Sequence, residues 1–262
     1  MHTFKTIAAI ALLLVSVPLP RAQGAGNAML HAANGAVVDA EGAPVQLRCV
    51  NLSPWLEPEP YLIGKALRGL ARSPSELKQK LSELVGPAAA QAFWRQWEDA
   101  FFTRADFARL KEQGFDYVRL PINYKNIVAA SPNGAVAPDD AALAPVDHAI
   151  AWGAEYGIYV ILDLHAAPGG QNSAPTVSDV PSDDTVAHLW QGPDARANQQ
   201  MTVEVWRALA VRYARAGSVG GYDLLNEPVP PSGVPKDDLI ALYSSTRRSP
   251  CPTPGRSFSA IS

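Results

Sequence analysis

At 262 residues the chain is long enough for one barrel-sized domain, and a composition of 47% hydrophobic and 18% charged residues excludes wholesale disorder and a coiled coil. A formal charge of −3 leaves no basic surface to recommend a nucleic-acid partner, so a neutral or weakly polar substrate fits better. The two cysteines, Cys49 and Cys251, fall in an expected buried strand and in the tail, and no structural bridge is expected between them.

Residues 1–24 read as a cleaved export signal: Lys5 supplies positive charge, Ile7 to Val17 is apolar apart from Ser16, and small residues follow at Ala22, Gly24 and Ala25. The run is shorter than the roughly 20 residues that span a bilayer. The expectation is a secreted protein, extracellular or periplasmic, with no membrane association after signal cleavage. Residues 30 to 52 alternate around Ala40–Ala43, with a second turn signal at Asn34-Gly35, and predict a short hairpin running into a core strand, Leu47–Leu52. A long connection, Ser53–Ser73, precedes helical patterning through Leu77, Leu81, Leu84, Phe93, Trp94, Trp97 and Phe101. Thr103 and Asp106 form a candidate capping box for a helix stopping at Gly114, and a strand follows over Phe115–Ile122. Asp140–Tyr156 predicts a helix ending at Gly157, and Ile158–Leu164 a buried parallel strand. Ala195–Ala216 carries Val203, Trp206, Leu209 and Tyr213 at helical spacing, and Tyr222–Leu225 is the next strand. This beat predicts an α/β fold with a parallel sheet, open or closed into a barrel, and no GxGxxG or P-loop follows the first strand.

Polar residues gather at the strands' carboxyl ends: Asn51, then Arg119 and Asn123, then His165, then Asn226 and Glu227. In a barrel those ends share the rim where active sites lie. Glu227 sits at a strand tip beside the amide of Asn226, where a carboxyl in a partly apolar surround could protonate a leaving glycosidic oxygen. Arg119, on an otherwise apolar strand, requires an anionic partner: a carboxylate nucleophile, or structurally Asp116 or Asp163. Asp163 and His165 alternate onto one face; with no further ligand set they make an incomplete metal site, and no metal or cofactor is expected. Trp55, Tyr61, Tyr124 and Trp190 fall in loops where rings can stack on sugars, while Glu57 and Glu59 are candidates for sugar hydroxyls, an exposed loop Glu usually being merely solvated.

From Leu47 to Leu242 the chain resembles glycoside hydrolase family 5, the cellulase-like retaining (β/α)8 barrels, in the segments VNLSPWLEPE, FDYVRLPINY, VILDLHAAPGGQN and YDLLNEP. The resemblance implies retaining hydrolysis of β-glycosidic bonds in a polysaccharide or oligosaccharide, with Glu227 as acid/base, Asn226 on the sugar, Arg119 holding the nucleophile and His165 lining the site. Trp55, Glu57, Glu59, Asn123, Tyr124, Gln171 and Asn172 are the expected substrate contacts. The loops at Trp55–Tyr61 and His165–Asn172 look closest to the β-glucanase and exo-1,3-glucanase-like branch.

The resemblance also implies four further βα units and a nucleophilic Glu, none of which follows the fourth strand. Past Tyr243 the composition turns abruptly to Ser, Pro and Arg. The expected organisation is therefore a signal at 1–24, the first half of a (β/α)8 domain over 25–243, and an unstructured tail over 244–262 that could be off-frame. Such a chain is expected to have little activity, with non-catalytic carbohydrate binding as the alternative.

Overall fold

The computed structural model describes residues 30–39, 41–45, 47–129, 137–184 and 186–248; the expected signal and Cys251 lie outside the described residues. β1 (His31–Ala33) and β2 (Ala36–Val38) pair antiparallel about Asn34 and Gly35, both at positive φ (51° and 75°), as an Asn-Gly hairpin turn requires. The chain also folds back at the other expected turn: Val38 bridges Pro44 antiparallel, and the Asp39 carboxylate accepts from the amides of Glu41 and Ala43.

β3 (Cys49–Asn51) opens the main sheet. α1 (Pro60–Ile63) lies in the long connection that follows, and α2 (Pro74–Val85) and α3 (Pro87–Ala100) come after it, where helical patterning was expected. Gly86, at φ 85°, and Pro87 part α2 from α3. α4 (Arg104–Glu112) starts on the expected Thr103/Asp106 capping box and leads into β4 (Tyr117–Asn123). A two-residue pair, β5 (Val128–Ala129) with β6 (Ala137–Pro138), precedes α5 (Ala144–Tyr156), which stops at Gly157 in the left-handed region as expected. β7 (Tyr159–Ala166), the single turn α6 (Pro175–Ser178), α7 (Ala195–Arg212), β8 (Val219–Asp223) and α8 (Lys236–Arg248) complete the order. α8 runs past the expected domain boundary at Tyr243, so Ser244–Arg248 are helical rather than tail; the rest of the expected tail lies outside the described residues.

The four strands lie in the order β3-β4-β7-β8, all parallel, with a helix between each neighbouring pair: successive βα units of a (β/α)8 barrel. One face of β4 and β7 carries Val118, Leu120, Ile122, Val160, Leu162 and Leu164, which pack with Phe107, Val146, Ile150, Val205, Trp206 and Leu209 of the helices. The Trp206 indole donates to Leu224 O at 3.0 Å and fixes α7 against the end of β8. The buried strand expected over Leu47–Leu52 is corrected: Cys49 is an exposed free thiol and Asn51 is exposed, because β3 is paired only to β4 among the described residues; Leu52 alone is fully buried.

Candidate active site

Alternation turns the opposite face of the sheet into the polar one. Parallel register sets Asn51 beside Arg119, and Asp163 between Pro121 and Asp223, so β4, β7 and β8 deliver an arginine and two aspartates to one face of the sheet. Arg119 spreads across them. Its Nε and Nη2 donate to Asp223 Oδ2 at 3.0 and 2.8 Å, Nη2 also reaches Asn226 Oδ1 at 2.8 Å and Asp163 Oδ2 at 3.0 Å, and Nη1 reaches Asn51 Oδ1 at 3.4 Å. Among the described residues its anionic partners are two strand aspartates, Asp163 and Asp223. Asp223 was missed in the sequence, though a charged residue closing an otherwise uncharged strand was its signal.

Asp163 is wholly buried. Oδ2 receives His165 Nδ1 at 2.7 Å as well as Arg119, while Oδ1 has no partner. Burial raises its pKa, and the hydrogen bond and charge of His165 and the charge of Arg119 offset part of that rise. For His165 burial acts downward, but Asp163 and Glu59 outweigh it and hold the imidazolium up to about 10. Glu59 lies 3.8 Å from Nε2, too far for a hydrogen bond, so Asp163 at 2.7 Å is the dominant partner. Asn226 Nδ2 stands 3.3 Å from the same Nε2 with its oxygen committed to Arg119; it can donate there only to a neutral ring, so protonation of His165 bears directly on Asn226.

Glu227 follows at the rim. It is exposed, its backbone lies at φ 43°, and among the described residues its carboxylate has no hydrogen-bond partner. Asn172 Nδ2 donates to Glu227 O at 2.9 Å and Gln171 Nε2 donates to Asn226 O at 2.9 Å.

Several expected substrate contacts turn out to be internal. Trp55 is 1% exposed, lies against Phe102 and Trp152, and donates its indole N–H to Glu98 O at 2.8 Å; it is a core residue. Trp190 is buried too, donating to Gln171 O. Gln171 is fully buried and spends both ends of its amide on backbone, and Asn172 is close to fully buried. Asn123 donates to Asp179 Oδ2 at 2.9 Å and accepts from Lys125 N, which occupies its amide. Tyr124 is half-buried and packs on the core, whereas Tyr61 is exposed.

Glu57 and Glu59 are the reverse of solvated loop residues, at 0% and 2% exposure. Neither carboxyl oxygen of Glu57 has a partner, and burial, then the charge of Asp179, push its pKa up to about 8, with His165, Asn123 and Lys78 offsetting part. Burial therefore favours the protonated form of Glu57. The Asp179 that acts on it, missed in the sequence, accepts from Ser75 N, Ser75 Oγ and Lys125 Nζ at 2.7, 2.6 and 2.8 Å and ties the start of α2 to the loop after β7. No group of three or more metal-ligating side chains occurs among the described residues.

The profile described as cellulase (glycosyl hydrolase family 5) matches residues 80–243. A β-xylosidase of Phanerodontia chrysosporium is 31% identical over 82% of this chain and 42% of its own length. A probable glucan 1,3-β-glucosidase A of Aspergillus niger is 32% identical over 91% of this chain and 53% of its own. The chain spans about half the length of the curated relatives it matches. In fold it is similar to rutinosidase from Aspergillus niger, with a TM-score of 0.60 and 16% identity over 78% of this chain and 58% of that one. A match running from α2 into α8, on strands that build successive units of the same barrel, has one reading: the chain belongs to glycoside hydrolase family 5.

Proposed function

We propose that this sequence serves a secreted glycosidase that cleaves β-glucan-type polysaccharides or oligosaccharides by a retaining double displacement, with Glu227 as acid/base. The observation that carries the reading is Glu227 itself: a carboxylate at the carboxyl end of a barrel strand, open to solvent, on a backbone that the neighbouring loop holds. Glu227 gives its proton to the departing glycosidic oxygen and then takes one from water. Asn226, fixed by Arg119, offers its amide beside it, and His165 lines the floor. Relatives named as glucan 1,3-β-glucosidases support the substrate class. Secretion is supported by the apolar segment Ile7–Val17, and no helix among the described residues is long and apolar enough to cross a membrane.

Retaining displacement needs a second carboxyl about 5 Å from the first. Of the carboxyls described around the site, Asp163, Asp179, Glu57 and Glu59 are buried and closed to a sugar, so the second carboxyl is taken to lie outside the described residues. The 262-residue chain assayed by itself is expected to leave β-1,3-glucan oligosaccharides intact. In a polypeptide that adds the missing carboxyl, Glu227→Gln is expected to lower kcat by about 10²–10⁴ while binding persists. Turnover that survives Glu227→Gln would remove Glu227 from the chemistry. Glucan binding without turnover in every length of polypeptide would favour a binding protein.

A further inference from the structure

A glutamate at φ 43° occupies a backbone region that L-residues avoid, and such a conformation persists only where its surroundings over-determine it. The loop after β7 supplies those surroundings. Two consecutive side-chain amides grip two consecutive carbonyls: Gln171 Nε2 donates to Asn226 O and Asn172 Nδ2 to Glu227 O, both at 2.9 Å. Gln171 grips β7 with the same amide, donating to His165 O at 2.6 Å, while its Oε1 accepts from Ala167 N at 3.1 Å and its backbone oxygen accepts from Val229 N at 3.1 Å. The Asn226 amide is itself held by Leu164 O at 3.1 Å. Asn172 is anchored in turn, donating from its backbone N to Ser178 Oγ and accepting from Ala174 N at its side-chain oxygen. Residues 226 to 229 are thereby fastened to the β7 strand end at four points.

We propose that Gln171 and Asn172 act as positioning residues: their paired amides lock the peptide units on either side of Glu227 in the left-handed turn and so aim its carboxyl at the substrate. The proposal rests on the assignment of Glu227 as acid/base only for its catalytic consequence; the locking itself is a statement about the backbone. Gln171 spends both amide hydrogens on backbone carbonyls and Asn172 is buried, which separates this role from the substrate contact expected of them.

The test uses the full chain, with backbone carbon shifts at Glu227 reporting its φ and amide exchange reporting the clamp. Asn172→Ala and Gln171→Met remove one grip each, and Asn198→Ala removes a comparable amide-to-carbonyl bond, to His188 O, elsewhere in the same loop region. Both clamp variants are expected to shift Glu227 out of the left-handed region and to speed exchange at Asn226 and Val229 about fivefold to tenfold, as for one lost hydrogen bond. Asn198→Ala is expected to leave Glu227 unmoved. Where turnover is measured, clamp variants lose kcat by about 10²-fold with KM within about twofold, because a misaimed acid spoils the transition state more than binding. Should Gln171→Met fail to fold, Asn172→Ala alone decides. Left-handed shifts retained at Glu227 in the clamp variants overturn the proposal whatever the activity. In a polypeptide that adds the second carboxyl, absence of hydrolysis with the clamp response intact overturns only the glycosidase reading.

Discussion

Asp163 sets the charge state beside His165 because it has no access to water, so whatever it holds is held strongly. Its Oδ2 lies 2.7 Å from His165 Nδ1, and that contact, more than Glu59, keeps the ring protonated. Asp163→Asn removes the anion while preserving shape. The His165 pKa is then expected to fall from about 10 to within about a unit of its ordinary value, since burial acts downward once its main partner is neutral. A proton NMR titration of the ring measures this directly, and an unmoved titration would mean that Glu59 carries the effect. This arrangement was half legible in the sequence: Asp163 and His165 two apart on a strand had to share a face, and Arg119 had to find an anion. Asp223 was not found although its charge at the strand end was visible, because the partner it meets depends on the register between β7 and β8. The burial of Glu57 and Trp55 was hidden for the same reason, since the helices that cover a loop are remote from it in sequence.

At the scale of elements, strand-helix alternation was readable because each parallel strand is buried on the face that meets the helices and each helix repeats its apolar positions. Turn residues fixed the boundaries at Asn34-Gly35, Thr103/Asp106 and Gly157. The failures lie at the edges. β3 was expected to be buried on its hydrophobicity, yet burial is granted by neighbours, and β3 has one strand neighbour among the described residues. One helix-to-sheet contact is close enough to be decisive: a Cβ on Gly153 of α5 would stand 2.6 Å from Ile158 O and 3.0 Å from Val160 Cγ2. Helical propensity alone would make Gly153→Ala stabilising by up to about 1 kcal/mol. The backbone carbonyl cannot yield, so overpacking prevails and a net loss of about 1–3 kcal/mol is expected in urea unfolding. A stabilised Gly153→Ala variant would mean that α5 rides further from the sheet than these contacts state.

Across the whole molecule the buried ionisable groups bias stability in one direction with pH. The folded chain holds the Glu57 proton up to about 8 and the His165 proton up to about 10, against ordinary values of 4.5 and 6.5 for the unfolded chain. In both windows the folded state binds more protons than the unfolded one, so unfolding free energy falls as pH rises, by about 1.4 kcal/mol per pH unit for each proton difference fully expressed. For His165 the contribution is complete below 6.5 and gone above about 10; for Glu57 the penalty on its charged form sets in above 4.5 and is complete past about 8. Asp163, raised chiefly by burial, acts with the same sign. The lowered carboxyls of Asp184 and Glu155 lie at the surface and are already ionised throughout these windows. Stability is therefore expected to be greater near pH 5 than near pH 9, with the steepest decline where the two windows overlap at about pH 6.5–8. Glu57→Gln separates the two groups: it removes the carboxyl but keeps the shape, so the slope over about pH 5–6.5 should flatten while the decline attributable to His165 remains. Equilibrium urea unfolding of both chains across this range provides the check. A stability that climbs from acid to neutral pH would show that Glu57 is ionised in the folded state, and that the orphaned oxygens at the end of β3 have found a partner.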